Sequence, residues 1–401
     1  MTLLEAHRDF EREFRGNTIN PSAAEVLARL GLAEKLLGLR HAKVRRFTLQ
    51  EAGGWREKFA DFSRLETSYP YILMLPQARF LEFIAAEAQS YPNFRLVMGA
   101  RVKELTWEGD QVRGVRYEDR EGTREVRSML TVGTDGRFSR LRRLAKLEPV
   151  KTSPPMDIFW FNLPRKERDP DGAGAVFRCG RGSLLVLMDH SEYWQVGYII
   201  PKGHYARLKE SGLEAFRQSV ATLAPELADR VEALQDWKQG SLLSVESDRL
   251  RRWCRPGLLL LGDAAHVVSP VGGIGINLAI QDAVVAANVL AGPLLKGRTR
   301  TRHLVAVQRR REWAVRLIQS AQDLAQRWVV ADMLKGDELF ELPLLLRLLL
   351  RTPVLRDVPA RLIAYGAWPV HPKEPRRARS SASMHKEPDR RGRSVCYNFR
   401  G

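Results

Sequence analysis

The residues best suited to chemistry lie between Gly262 and Asp282, in the run GDAAHVVSPVGGIGINLAIQD. Leu258–Leu261, just before it, is a short apolar run that reads as a buried strand. Gly262 and Asp263 end that strand, a loop dense in glycine and proline follows, and a helix opens near Gly275–Asn277. A strand–loop–helix unit of this kind holds the phosphate and ring groups of a large cofactor. Gly272, Gly273 and Gly275 carry no Cβ, so the backbone can come close to a ligand. A helix N-terminus offers free N–H donors and a positive dipole end to a ring carbonyl. Asp263 supplies an acceptor suited to a sugar-alcohol hydroxyl. The same segment also reads as a glycine-rich turn between a core strand and a core helix.

Three further segments stand in a consistent order with this one. They are Leu3-Leu4-Glu5 followed by Phe14-Arg15-Gly16, then Pro76-Gln77-Ala78-Arg79-Phe80-Leu81, then Thr131–Arg142 with its Asp135-Gly136 pair. Together with GDAAH and the lead-in Asp248–Gly257, they resemble the para-hydroxybenzoate-hydroxylase-like FAD monooxygenases over roughly the first 330 residues. The resemblance implies FAD as cofactor, NADPH or NADH as reductant, and O₂ and a small apolar or aromatic molecule as substrates. It implies hydroxylation or epoxidation through a flavin C4a-hydroperoxide. Because the flavin carries that chemistry, no nucleophile triad or metal cluster is needed.

The resemblance also implies site roles. Glu5 would hold the adenosine ribose, and Arg15 and Gln77 the ribityl–pyrophosphate part. Asp135 would lie by the pyrophosphate and nicotinamide regions. Gly262 and Asp263 would meet the ribityl chain. Pro270 would line the ring face near the oxygen site. Gly273, Gly275, Ile276 and Asn277 would hold the pyrimidine edge. No substrate-specific acid or base is legible. His266 reads as a local packing or hydrogen-bonding residue, and His190 and Tyr193 are as readily structural as catalytic. Trp160, Phe177 and Trp194 suit an apolar cavity, although sheet aromatics are usually core.

Two departures stand out. Where the family commonly has Asp-Thr-x-His-Pro-Ser, this chain has Asn17-Thr18-Ile19-Asn20-Pro21-Ser22. It also opens at MTLLEAH, without the first strand, G-x-G-x-x-G loop and helix that cradle the FAD pyrophosphate. The expectation is a start lying upstream, or else a shortened paralogue. Alternative readings are a reductase or oxidase on the same fold, like the geranylgeranyl-reductase-like enzymes, and an inactive remnant without FAD.

The implied fold is mixed α/β (α+β). It comprises a Rossmann-like FAD-binding domain, truncated at its N-terminus, an antiparallel-sheet substrate domain and C-terminal helices. The flavin domain is expected over 1–40, 76–150 and 251–330, and the substrate sheet over 41–75 and 151–250. A helical segment over 331–372 and a disordered basic tail over 373–401 would follow. Apolar periodicity predicts a helix over Ala23–Leu37 and another over Pro76–Ser90. It predicts strands over Arg95–Val102, Glu104–Glu108, Val112–Asp119 and Thr123–Val132. Further strands are expected at Ile158–Leu163, Ala175–Arg178, Ser183–Met188 and Tyr193–Ile200, and helices at Tyr205–Ser219, Asn277–Leu295 and Thr301–Val330.

Composition fits this reading. The 401 residues can bury a sizeable core, and 44% are apolar. Cys179, Cys254 and Cys396 are scattered, which points to a reducing compartment, the cytoplasm, and no disulfide framework. Leu339–Leu355 is leucine-rich but broken by Pro343, Arg347, Arg351 and Pro353, too short and charged to span a bilayer. The net charge is +18, and the tail from Lys373 carries nine Lys/Arg against three Asp/Glu. The remaining charge is spread as arginine doublets and triplets without interleaved aromatics, which argues against a nucleic-acid partner. Weak contact with anionic lipids is a secondary reading.

Overall fold

The computed structural model describes residues 1–11, 17–51, 54–152, 154–169, 174–180, 182–190, 192–334, 352 and 355–373. Arg15, Gly53, nearly all of Leu339–Leu355 and the tail beyond Lys373 lie outside the described residues. The chain is a mixed α/β structure whose largest sheet has seven strands.

Tyr193–Pro201 and Met156–Pro164 lie near the middle of that sheet, paired antiparallel from Met156↔Pro201 to Pro164↔Tyr193. Gly240–Ser244 flanks one side. On the other side come Ser183–Asp189, Ala175–Gly180, Arg46–Glu51 and Arg56–Asp61. All neighbours are antiparallel except Ala175–Gly180 beside Arg46–Glu51, which run parallel. Strand alternation sorts the side chains between two faces. Phe159, Phe161, Leu163 and Trp194 pack with Phe216, Val220 and Leu223 of the helix Leu213–Leu223. Ile158, Trp160, Val186 and Ile199 face the opposite core, against Val245 and Val271. Trp194 therefore belongs to the helix-covered side, away from Trp160 and Phe177.

Two parallel strand pairs form the other layer. Thr2–Glu5 runs beside Arg95–Met98, and Thr131–Gly133 beside Leu258–Leu260. A hairpin meander of Arg101–Glu108, Gln111–Asp119 and Gly122–Arg127 stands next to them. Leu258, Leu259 and Leu260 are fully buried against Val285, Leu290, Leu304 and Val307. The last four belong to two long helices, Gly275–Leu295 and Thr301–Ala325. By length and composition, Gly275–Leu295 alone among the described helices could cross a membrane, and here it packs in this core.

Several expected elements are divided. Ala23–Leu37 becomes Pro21–Arg29 and Ala33–Leu37, and Tyr205–Ser219 becomes Tyr205–Glu210 and Leu213–Leu223. Gly31 and Gly212 at the breaks have φ of 75° and 86°, a left-handed conformation that glycine adopts without strain. The expected strand Thr123–Val132 splits at Ser128–Leu130, and its halves join different sheets. Arg95–Val102 likewise divides at Gly99. Of the expected substrate-sheet segment 41–75, Ile72–Met74 pairs with Ala42–Val44 and with Thr18–Ile19 in a small separate sheet.

Candidate active site

The loop from Gly262 to Gly275 joins the parallel layer to the helix Gly275–Leu295 and lies over the seven-stranded sheet. Gly262–Ala264 forms one short helical turn, with Asp263 half-buried between buried neighbours. His266–Val267 then makes a two-residue strand against Asp248–Arg249. Beyond Pro270, Gly273 donates its N–H back to the Pro270 carbonyl at 2.9 Å. Gly273 has φ 62°, and a Cβ there would meet Thr18 Oγ1 at 2.6 Å. Only glycine fits that turn without moving the neighbouring segment.

That neighbour is Asn17–Asn20, the stretch that departs from the family pattern. Thr18 Oγ1 donates to the Gly273 carbonyl at 2.8 Å. The Asn20 N–H donates to Asn277 Oδ1 at 2.8 Å, and Asn277 Nδ2 donates to the carbonyls of Gly273 at 3.2 Å and Thr18 at 3.4 Å. Asn20 Nδ2 donates to the Ile363 carbonyl at 2.6 Å. Asn17 accepts the Gln77 N–H at 3.2 Å and donates to Gln195 Oε1 at 3.2 Å. It thus ties the start of the helix Gln77–Gln89 to the sheet. His190 Nε2 meets the same Gln195 oxygen at 3.1 Å, and its ring stacks on Tyr193 at 4.9 Å. Burial drives the His190 pKa down to about 4, so the ring is neutral at pH 7.

The structure thus brings Gln77, Gly273, Gly275, Ile276 and Asn277 together, with Pro270 in the same loop. Glu5 ends the strand Thr2–Glu5 and accepts the His7 N–H at 2.8 Å. Asp135 accepts from Ser139 Oγ at 2.5 Å and from the Leu141 N–H at 2.9 Å, so both its carboxylate oxygens hold the start of the helix Arg140–Leu144. Arg142, in that helix, is bonded to both oxygens of Asp248 at 3.1 Å.

Three features of this site suit a flavin. The helix Gly275–Leu295 starts without a side-chain cap and without an acidic residue in its first turn, which leaves its N–H donors free for a ligand carbonyl. A Cβ on Gly275 would meet only Val268 Cγ2, at 3.7 Å, so the backbone there is open. Gln77 Oε1 is buried with no hydrogen-bond partner among the described residues.

Sequence reasoning missed what braces the loop. Asp282 is fully buried. It accepts from the Gly262 N–H at 3.0 Å, His266 Nε2 at 2.7 Å and Arg311 Nε at 2.7 Å. Burial opposes its ionisation, yet His266 and Arg311 outweigh that effect and hold its pKa below the ordinary carboxylate value. Trp253 covers the His266 ring at 4.8 Å, in keeping with a packing role for that histidine. On Thr301–Ala325, Gln322 accepts the Ser269 N–H at 3.2 Å and donates to the carbonyls of Ser269 at 2.9 Å and Val271 at 2.8 Å. Gln319 donates to the carbonyls of Asp248 and Val267. A signal was present: Gln308, Arg311, Gln319 and Gln322 share the helix face of Leu304, Val307, Val315 and Ile318, where polar residues are out of place unless bonded.

The family described as FAD binding domain matches residues 1–321. The chain is 34% identical over 377 residues to the 6-methylpretetramide 4-monooxygenase of Streptomyces rimosus, a match covering 91% of this chain and 86% of that protein. It is 25% identical to the para-nitrophenol 4-monooxygenase of Pseudomonas sp. (strain WBC-3), over 78% of this chain and 77% of that one. The crystal structure of the p-nitrophenol 4-monooxygenase of Pseudomonas putida DLL-E4 superposes with a TM-score of 0.68 at 20% identity, covering 90% of this chain and 86% of that one.

Proposed function

Because the chain belongs to the FAD-binding-domain family and is an FAD-dependent monooxygenase, we propose that it hydroxylates an apolar aromatic ring, with NADPH or NADH as reductant. One observation carries the substrate class. Val268 and Val271, either side of Pro270, pack against two neighbouring cores, and Phe59, Phe177 and Met188 from the sheet pack against both of those cores. Phe59 and Phe177 lie edge to face at 5.3 Å, and both residues are only partly buried. An aromatic wall beside the loop suits a flat apolar substrate better than a charged one. The relative named for para-nitrophenol supports an aromatic substrate.

FAD, when bound, supplies the redox chemistry, taking electrons from the nicotinamide and activating O₂. The chain binds and orients. In this reading the free N–H groups of Gly275, Ile276 and Asn277 hold the ring carbonyl edge, and Gly273 lets the backbone close on it. Asp263, at Gly262, accepts from the ribityl hydroxyls, and Arg15 and Gln77 serve the ribityl–pyrophosphate part. Glu5 serves the ribose, and the Asp135 turn lies near the pyrophosphate. Pro270 shields the oxygen side of the ring from water, its neighbours fixed by Gln322. Residues 1–40, 76–150 and 251–330 would form the flavin unit, 41–75 and 151–250 the substrate unit, and the cytoplasm the compartment.

The test has two arms. Asp263→Ala should lower the flavin retained after gel filtration, with a Kd for FAD weakened roughly tenfold to a hundredfold, because a charge-assisted bond contributes about 1.5–3 kcal/mol. The circular dichroism spectrum should not change. The flavin-loaded protein should consume NADPH or NADH with a phenol, para-nitrophenol being the first to try, and add one oxygen atom to it by mass. Equal flavin occupancy in mutant and parent would remove Asp263 from the site. Nicotinamide consumption without oxygenated product across a panel of phenols would overturn the aromatic-ring substrate.

A further inference from the structure

We propose that the outer face of the helix Thr301–Ala325 docks on an anionic phospholipid surface. Trp313, Leu317 and Leu324 on this helix are 60%, 43% and 59% exposed. At 3.6 residues per turn they fall within about 40° of one another around the axis, one above the next. They form a single apolar stripe on the outside, back to back with the buried glutamine row.

Arginines flank the stripe on both sides. Arg309, Arg310 and Arg316 are exposed beside it, as are Arg302 before it and Arg327 just past the helix end. The other exposed positions between Thr301 and Arg327 are Thr301 and Ser320, so the face carries no exposed acid. The nearby carboxylates, Glu312 and Asp323, are half-buried and paired with Arg316 at 2.7 Å and Arg327 at 2.9 Å. Among the described residues no carboxylate pairs with Arg302, Arg309 or Arg310.

This charge pattern selects the occupant. A second copy meeting the face about a two-fold axis would set arginine against arginine around the apolar stripe. A nucleic acid would satisfy the arginines and leave Trp313, Leu317 and Leu324 in water. An anionic bilayer surface satisfies both parts. Its phosphates meet the guanidinium groups while the indole and leucines enter the boundary between headgroups and acyl chains.

The experiment is co-sedimentation of the full chain with vesicles of phosphatidylcholine alone and of phosphatidylcholine with phosphatidylglycerol. Binding should appear only with the anionic vesicles and should weaken in high salt. Arg309→Gln with Arg310→Gln should weaken it roughly 25-fold, about fivefold for each arginine lost near the surface. Trp313→Ser with Leu317→Ser should weaken it more than about tenfold through lost apolar burial. Ser320→Leu, which extends the stripe and leaves the existing contacts intact, should strengthen it. Unchanged vesicle binding in the Trp313/Leu317 variant would overturn the proposal, as would equal binding to neutral vesicles. A dimer in ultracentrifugation that Trp313→Ser dissolves would assign the face to self-association instead.

Discussion

At the scale of single residues, the buried trio Asp282, His266 and Arg311 is the most demanding feature of the molecule. Asp282 and Arg311 are both fully buried, and Arg311 Nη1 and Nη2 have no hydrogen-bond partner among the described residues. A buried ion pair with unsatisfied donors gains less from its Coulomb attraction than a fully bonded one. Removing one member is nevertheless severe, because it strands the other charge. Arg311→Met should cost about 3–5 kcal/mol in urea unfolding, and the double variant Asp282→Asn/Arg311→Met should recover much of that loss. A double variant no more stable than Arg311→Met would show that shape, not charge, dominates the site.

His190 gives the pH dependence. Its pKa in the folded protein, about 4, lies below the ordinary imidazole value of about 6.5. Between those values the unfolded chain binds the proton that the folded chain refuses, so stability rises with pH across that window and falls on acidification. The contribution is complete above about pH 6.5 and lost by about pH 4, on the order of 3 kcal/mol at 1.36 kcal/mol per unit. Unfolding free energies of His190→Gln between pH 4 and 7 should rise less steeply than those of the parent. Parallel curves would mean that His190 does not carry the slope.

At the scale of elements, the helix Thr301–Ala325 shows what sequence could and could not reveal. Its length and its apolar face were legible from Leu304, Val307, Val315 and Ile318 at helical spacing. The loop motif was legible for a similar reason, since Gly272 and Gly273, with φ of 83° and 62°, are local necessities that announce themselves by residue type. The glutamine row was legible only as polar residues on an apolar face that must find partners. The partners themselves, the backbone groups of Ser269, Val271, Asp248 and Val267, were not, because they come from segments distant in sequence. The split of Thr123–Val132 between two sheets was hidden likewise, because pairing with Leu258–Leu260 is a long-range choice. Arg15 and the tail fall outside the described residues. Gln319→Ala with Gln322→Ala should therefore cost about 2–4 kcal/mol, since buried carbonyls lose their donors. Hydrogen exchange should speed up first at Val267–Val271. Uniform acceleration across the chain would show a global rather than a local brace.

At the scale of the whole molecule, the charge and the sheet edges act in opposite directions. The net +18 keeps molecules apart at low ionic strength. Among the described residues, Thr2–Glu5 pairs only with Arg95–Met98, and Thr131–Gly133 only with Leu258–Leu260. Each therefore presents one unpaired edge, and Leu3 and Val132 on these strands are 40% and 43% exposed. Apolar edges of this kind template pairing between chains once salt screens the repulsion. The 401-residue polypeptide should accordingly lose solubility as ionic strength rises from low to physiological. A lysine on an edge strand blocks such pairing at little cost where the side chain already meets water. Leu3→Lys with Val132→Lys should abolish the salt-dependent aggregation seen by light scattering and leave the melting temperature within about 2 °C. Aggregation that persists in this variant would locate the sticky surface elsewhere, with the exposed stripe of Trp313, Leu317 and Leu324 the next face to substitute.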